Sequence, residues 1–115
     1  MIHSQKTNQL GRERNARHAL LKTMIVSLIR DGKINTTEAK AKVLRPLVEK
    51  LVTKAKTGGV ANKRFIGSKI GPVSAKALVD TIAIKYKDRN GGYLRIIKLN
   101  SRKNDGARIA QIEFV

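Results

Sequence analysis

Between residues 38 and 56 the apolar side chains recur with a period that only a helix can use: Val43, Leu44, Leu47, Val48, Leu51, Val52 and Ala55. Spacings of three and four residues bring them onto one stripe of an α-helix. Pro46 lies inside this run and removes one helical hydrogen bond, which typically costs ~3 kcal/mol. The apolar stripe outweighs that cost, so the spacing predicts one kinked helix over Glu38–Lys56 rather than two. The outer face carries Lys40, Lys42, Arg45, Lys50, Lys54 and Lys56 against Glu38 and Glu49. A helix this one-sided must lie on other apolar surface.

The rest of the chain supplies that surface. From about Arg12 to Arg30, the residues Leu20, Leu21, Met24, Ile25, Leu28 and Ile29 form a second stripe, with Arg14, Arg17 and Lys22 largely outside it. Asp31-Gly32 ends that helix, because Gly is the usual residue just past a helix end. Lys33–Thr37 is short and β-branched and reads as a strand. Thr36 or Thr37 then caps the following helix, with Glu38 favourably placed in its first turn. Gly58-Gly59 breaks the pattern, and a short helix over Val60–Ile66 displays Lys63 and Arg64. Gly67–Pro72 reads as another break. A last helix over Val73–Tyr86 carries Ala75, Leu78, Val79, Ile82 and Tyr86 at helical spacing. Asn90-Gly91-Gly92 turns the chain. Tyr93–Leu99 and Arg108–Val115 alternate as strands, joined by the polar loop Asn100–Gly106. The expectation is one α+β domain over residues 1–115. It has a helix, a short strand, three helices and a C-terminal hairpin, with residues 1–11 as an extended basic arm.

Charge bounds the function. Twenty-five Lys and Arg face eight Asp and Glu, a formal net charge of +17 on 115 residues. A compact chain with this excess repels itself unless a polyanion or salt neutralises it. Nucleic acid is the leading partner. No apolar run approaches the ~20 residues that span a bilayer, and the first thirty residues lack a secretory pattern. Cysteine is absent, which excludes disulfides and thiolate metal sites. A cytoplasmic home is expected, with an organelle matrix the less favoured choice.

The sequence holds little material for catalysis. His3 and His18 have no acidic neighbour at metal-ligand or triad spacing, and the carboxylates are scattered singly. The glycine pairs belong to no P-loop or G-x-G-x-x-G pattern and are better read as helix terminators. No enzyme, cofactor, metal or small-molecule substrate is therefore expected. The basic residues share one plausible task, the neutralisation of phosphates. The expected RNA-binding set is Lys6, Arg12, Arg14, Arg17, Lys22, Lys40, Lys42, Arg45, Lys54, Lys56, Lys63, Arg64, Arg89, Arg95, Arg102 and Lys103, with Lys50 and Lys69 nearby. Their spread over several elements suits a protein embedded in folded RNA better than one helix laid on a duplex. A helix-turn-helix is disfavoured because the connection Asp31–Thr37 is too long and carries a strand signal. Tyr93 is read as packing at the sheet edge rather than stacking on a base. A free-standing nucleic-acid regulator is the alternative function.

Two segments carry a specific resemblance. Ile34-Asn35-Thr36-Thr37-Glu38-Ala39-Lys40-Ala41-Lys42 resembles the I-x-T-T segment of the ribosomal protein L17 family of the bacterial large subunit. Arg89-Asn90-Gly91-Gly92-Tyr93-Leu94-Arg95-Ile96 is similar to that family's R-x-G-G-Y-x-R segment. Val43-Leu44-Arg45-Pro46 and Leu51–Lys56 look like its second helix, and the likeness runs in order from Met1 to Val115. The opening Met1-Ile2-His3-Ser4-Gln5-Lys6 departs from the family's M-R-H-x-K start, although His3, Leu10 and Arg17 match. The resemblance implies a small mixed three-stranded sheet in which the first strand joins the hairpin. It also implies a structural role on large-subunit rRNA near the exit of the peptide tunnel, beside other large-subunit proteins, without cofactor or reaction.

Overall fold

A computed structural model of the chain describes residues 14–115; the arm over 1–11, with Lys6, lies outside the described residues, as does Arg12. The elements run α1 (Arg14–Asp31), β1 (Lys33–Thr37), α2 (Glu38–Thr57), α3 (Val60–Ile70), a composite α4, β2 (Leu94–Lys98) and β3 (Ile109–Phe114). The composite α4 is α-helical at Pro72–Ala77, π-helical at Leu78–Ile82 and α-helical again at Ala83–Lys85. The α+β expectation holds.

Helix α2 is the organiser. It continues through Pro46 and buries Ala41, Leu44, Val48, Leu51, Val52 and Ala55, with Leu44, Val48 and Val52 fully enclosed. Burying a side chain of that size is worth about 1.5–3 kcal/mol, enough to offset the proline. Thr37 caps the helix, its hydroxyl accepting from the Lys40 backbone N–H at 3.3 Å. Gly58 and Gly59, at φ 76° and 91°, then turn the chain into α3. An L side chain would be strained in that left-handed backbone region, so the pair is needed there. Leu47 departs from the expected stripe and is left 38% exposed.

Helix α1 packs Leu21, Met24, Ile25, Leu28 and Ile29 into the same core and ends where Gly32 N–H meets Leu28 O at 2.8 Å. The expected break over Gly67–Pro72 shrinks to the Gly71-Pro72 junction, because α3 runs on through Gly67 to Ile70. Gly inside a helix costs only about 1 kcal/mol against Ala, and burial of Ile66 and Ile70 more than covers it. The π turn in α4 was not visible in the sequence. The Ala83 N–H reaches back to Leu78 O, one residue further than in an α-helix. The inserted residue shifts the stripe, so that Ala83 is buried while Ile82 is half-buried.

The three strands lie in the order β1-β3-β2, every pairing antiparallel. The mixed sheet is thereby corrected. Strand β1 runs in the same direction as β2, so docking on β2 would have made a parallel pair, but it docks on the far edge of β3. Two backbone bonds clamp it there, Phe114 N–H to Gly32 O at 3.1 Å and Glu38 N–H to Arg108 O at 2.9 Å. The row Ile34–Ile112–Ile96 faces the helices, and Lys33–Glu113–Arg95 forms the opposite, polar face. Tyr93, just before β2, is 1% exposed and its ring lies 5.3 Å from that of Tyr86. It packs in the core.

Candidate nucleic-acid interface

The expected basic residues separate into groups once α1, α2, α3 and the sheet are in place. On the sheet side, several cations are matched to carboxylates. Glu38 receives Lys42 at 3.1 Å and Lys98 at 3.7 Å. Arg95 meets Glu113 at 3.3 Å, and Arg102 meets Asp105 at 3.3 Å across the hairpin loop. The hydrogen bond from Lys42, aided by the charges of Lys98 and Arg108, holds the Glu38 carboxyl below the usual carboxylate range. Gln111 donates to Glu113 at 2.9 Å and, with Arg95, lowers that carboxyl as well. Arg45 lies 4.0 Å from Glu49 on α2.

Two residues of the expected set are engaged within the fold, Arg17 buried and Lys56 half-buried. Lys56 donates to the Arg89 carbonyl and, at 2.9 Å, to the Tyr93 hydroxyl, so it ties the end of α2 to the turn before β2. Lys56, reinforced by Thr53 and the Gly91 backbone, holds the Tyr93 phenol below its ordinary value. Arg17 is 8% exposed and lies in the α1 stripe rather than outside it. The signal was present: Arg17 stands four residues before Leu21, one helical turn along the same face.

The third group surrounds a groove. Helices α1, α2 and α3 converge on a cleft of about 620 Å³ lined by the buried Arg17, with His18, Lys22, Lys50, Lys54 and Lys69 on its rim. Its floor is Leu21, Ile25, Val43, Leu47, Leu51 and Phe65, and no carboxylate of the described residues lines it. The ammonium groups of Lys54 and Lys69 lie 4.7 and 5.4 Å from the Phe65 ring centroid. Among the described residues, Lys22, Lys50, Lys54 and Lys69 make no ion pair with a carboxylate. Of the expected set the groove gathers Arg17, Lys22 and Lys54. Lys50 and Lys69, which the sequence places beside the expected set, join it at the groove; His18 was not foreseen there, and Leu47 and Val43 were read as core alone. Arg14, Lys63, Arg64, Arg89 and Lys103 stand away from the groove lining, and Lys40 is half-buried at the start of α2.

Such a surface can bind anions. Among the described residues no group of three His, Asp or Glu side chains could hold a metal ion, and no helix is long and apolar enough to cross a membrane.

The comparisons with known proteins agree with one another. Residues 20–115 match the family described as ribosomal protein L17. The chain is 51% identical over its full length to the large ribosomal subunit protein bL17 of Sphingopyxis alaskensis, covering 84% of that protein. It is 47% identical to the protein of the same name from Akkermansia muciniphila, covering 85% of it. The Campylobacter jejuni protein of that name is 46% identical and 99% covered.

Proposed function

The chain belongs to the ribosomal protein L17 family, and on that premise we propose that it is a structural, non-catalytic constituent of the large ribosomal subunit that binds and stabilises large-subunit rRNA. The observation that carries this reading is the uneven pairing of charge. Carboxylates pair with Lys42, Arg95 and Lys98 beside the sheet, while the rim lysines of the α1–α2–α3 groove have none in its lining among the described residues. Lysines clustered without counter-charge raise each other's free energy until a polyanion supplies it. Phosphate does so and releases its condensed counterions.

The finer placement follows the family. The protein sits near the exit of the peptide tunnel beside other large-subunit proteins, in the ribosome of the cytoplasm. Lys22, Lys50, Lys54 and Lys69 at the groove and the exposed Arg14, Lys63, Arg64, Arg89 and Lys103 are the side chains assigned to rRNA, and the sequence adds Lys6 and Arg12 of the N-terminal segment. Arg17 and Lys56 are better assigned to the scaffold. Density-gradient fractionation of a cell lysate at moderate salt tests the reading. Co-migration with large subunits is expected, and recovery only in the free-protein fractions contradicts it.

A further inference from the structure

Resting on the RNA-binding reading, we propose that the groove between α1, α2 and α3 receives one nucleotide extruded from its RNA helix. The base lies on the apolar floor, and its flanking phosphates lie on the rim lysines. Three features of the groove point to this occupant. Its volume, about 620 Å³, falls within the range of about 300–1,000 Å³ in which proteins hold ligand-sized groups, whereas a duplex needs a broad surface. Two floor residues, Leu47 and Phe65, remain 38% and 40% exposed, so apolar surface is left open at the site. Finally, cation and apolar surface alternate on the scale of one side chain, since Lys54 and Lys69 stand directly against the Phe65 ring.

That last feature separates a nucleotide from a protein helix. The apolar face of a helix seated here would bury both ammonium groups without an anion, which is costly. A nucleotide brings a flat apolar body with its own negative charge attached. The base face also accepts an ammonium favourably. Extrusion is easiest where the nucleotide is already unpaired, so a single-nucleotide bulge is the natural target.

The test uses the full chain and two RNA hairpins of equal length, one with a single 2-aminopurine bulge and one fully paired. The bulged hairpin is expected to bind about tenfold more tightly, with a change in 2-aminopurine emission. Phe65→Ser removes that preference by weakening the bulged hairpin more than the paired one. Leu47→Asn, on another helix, serves the same purpose if the first variant fails to fold. Equal binding of the two hairpins with unchanged emission, or a preference that survives both substitutions, overturns the groove assignment and leaves phosphate binding standing. Absence of binding to either hairpin at low salt overturns the underlying RNA reading instead. Photo-crosslinking from Phe65→benzoylphenylalanine in assembled large subunits should capture RNA; capture of protein alone overturns the proposal in favour of a peptide occupant.

Discussion

The sheet side and the groove side of this molecule treat positive charge in opposite ways. Beside the sheet, Glu38 is shared by Lys42 and Lys98, and Glu113 lies between Lys33 and Arg95 on the outer face. At the groove, basic residues from three helices converge with no acid among the described residues of the lining. A basic composition alone does not distinguish these cases, since Arg95 and Lys54 look equivalent in the sequence. The difference teaches that only part of the +17 charge is offered to a partner. Another part, Lys42, Arg95, Lys98 and Arg102, is paired with carboxylates of the hairpin and the start of α2.

Both sides depend on α2, and the largest expected effect tests that dependence. Leu44→Ala, at a fully buried position, should destabilise the fold by about 2–5 kcal/mol. Thermal unfolding followed by circular dichroism and by tyrosine fluorescence should move together, because Tyr86 and Tyr93 sit in the same core. Two separated transitions would show that the halves fold independently.

A smaller effect separates a scaffold lysine from a binding lysine. Lys56→Met removes the bonds to Arg89 O and the Tyr93 hydroxyl and should cost about 1.5–3 kcal/mol in chemical denaturation, with RNA affinity retained. Lys54→Met, two residues away on the groove, should do the reverse. If both variants weaken RNA binding equally, the division of α2 into two faces is wrong.

The smallest effect concerns acid. The Glu38 and Glu113 carboxyls titrate below their ordinary range in the folded protein, whereas in the unfolded chain a glutamate titrates near about 4.3. Their contribution to stability is therefore complete above that pH and is lost as pH falls through the lower folded values. Melting temperatures recorded from about pH 6 down to about pH 3 should decline, and Glu38→Gln should flatten part of that decline. An identical acid profile in the variant would remove the pairing on the sheet side from the account.

Much of this architecture could be read from residue order, and the failures have physical causes. The α2 stripe (Leu47 apart), the Thr37 cap, the Gly58-Gly59 turn and the alternation around Ile112 are local patterns, and each appears where expected. The sheet order was not legible, because the choice of β3 over β2 as the partner of β1 is made by tertiary clamps at Gly32 and Glu38. The π turn was hidden because one inserted residue leaves Ala75 before it, Leu78 at its start and Tyr86 after it apolar and buried. As for the interface, composition pointed to phosphate but could not sort individual side chains. Which lysine has a carboxylate within 4 Å is decided by packing between distant segments, as with Lys98 and Glu38.

The central claim is that the groove-side cations exist to be neutralised by RNA. Binding of a large-subunit rRNA fragment across a salt series measures it directly, comparing the wild type with Lys50→Gln/Lys54→Gln/Lys69→Gln and with Arg95→Gln/Lys98→Gln/Arg102→Gln. The account predicts that the groove variant lowers the slope of log affinity against log salt by about 2.7, or ~0.9 for each phosphate that is no longer neutralised, while the sheet variant barely changes it. A slope that both variants reduce equally, or that neither reduces, contradicts the account.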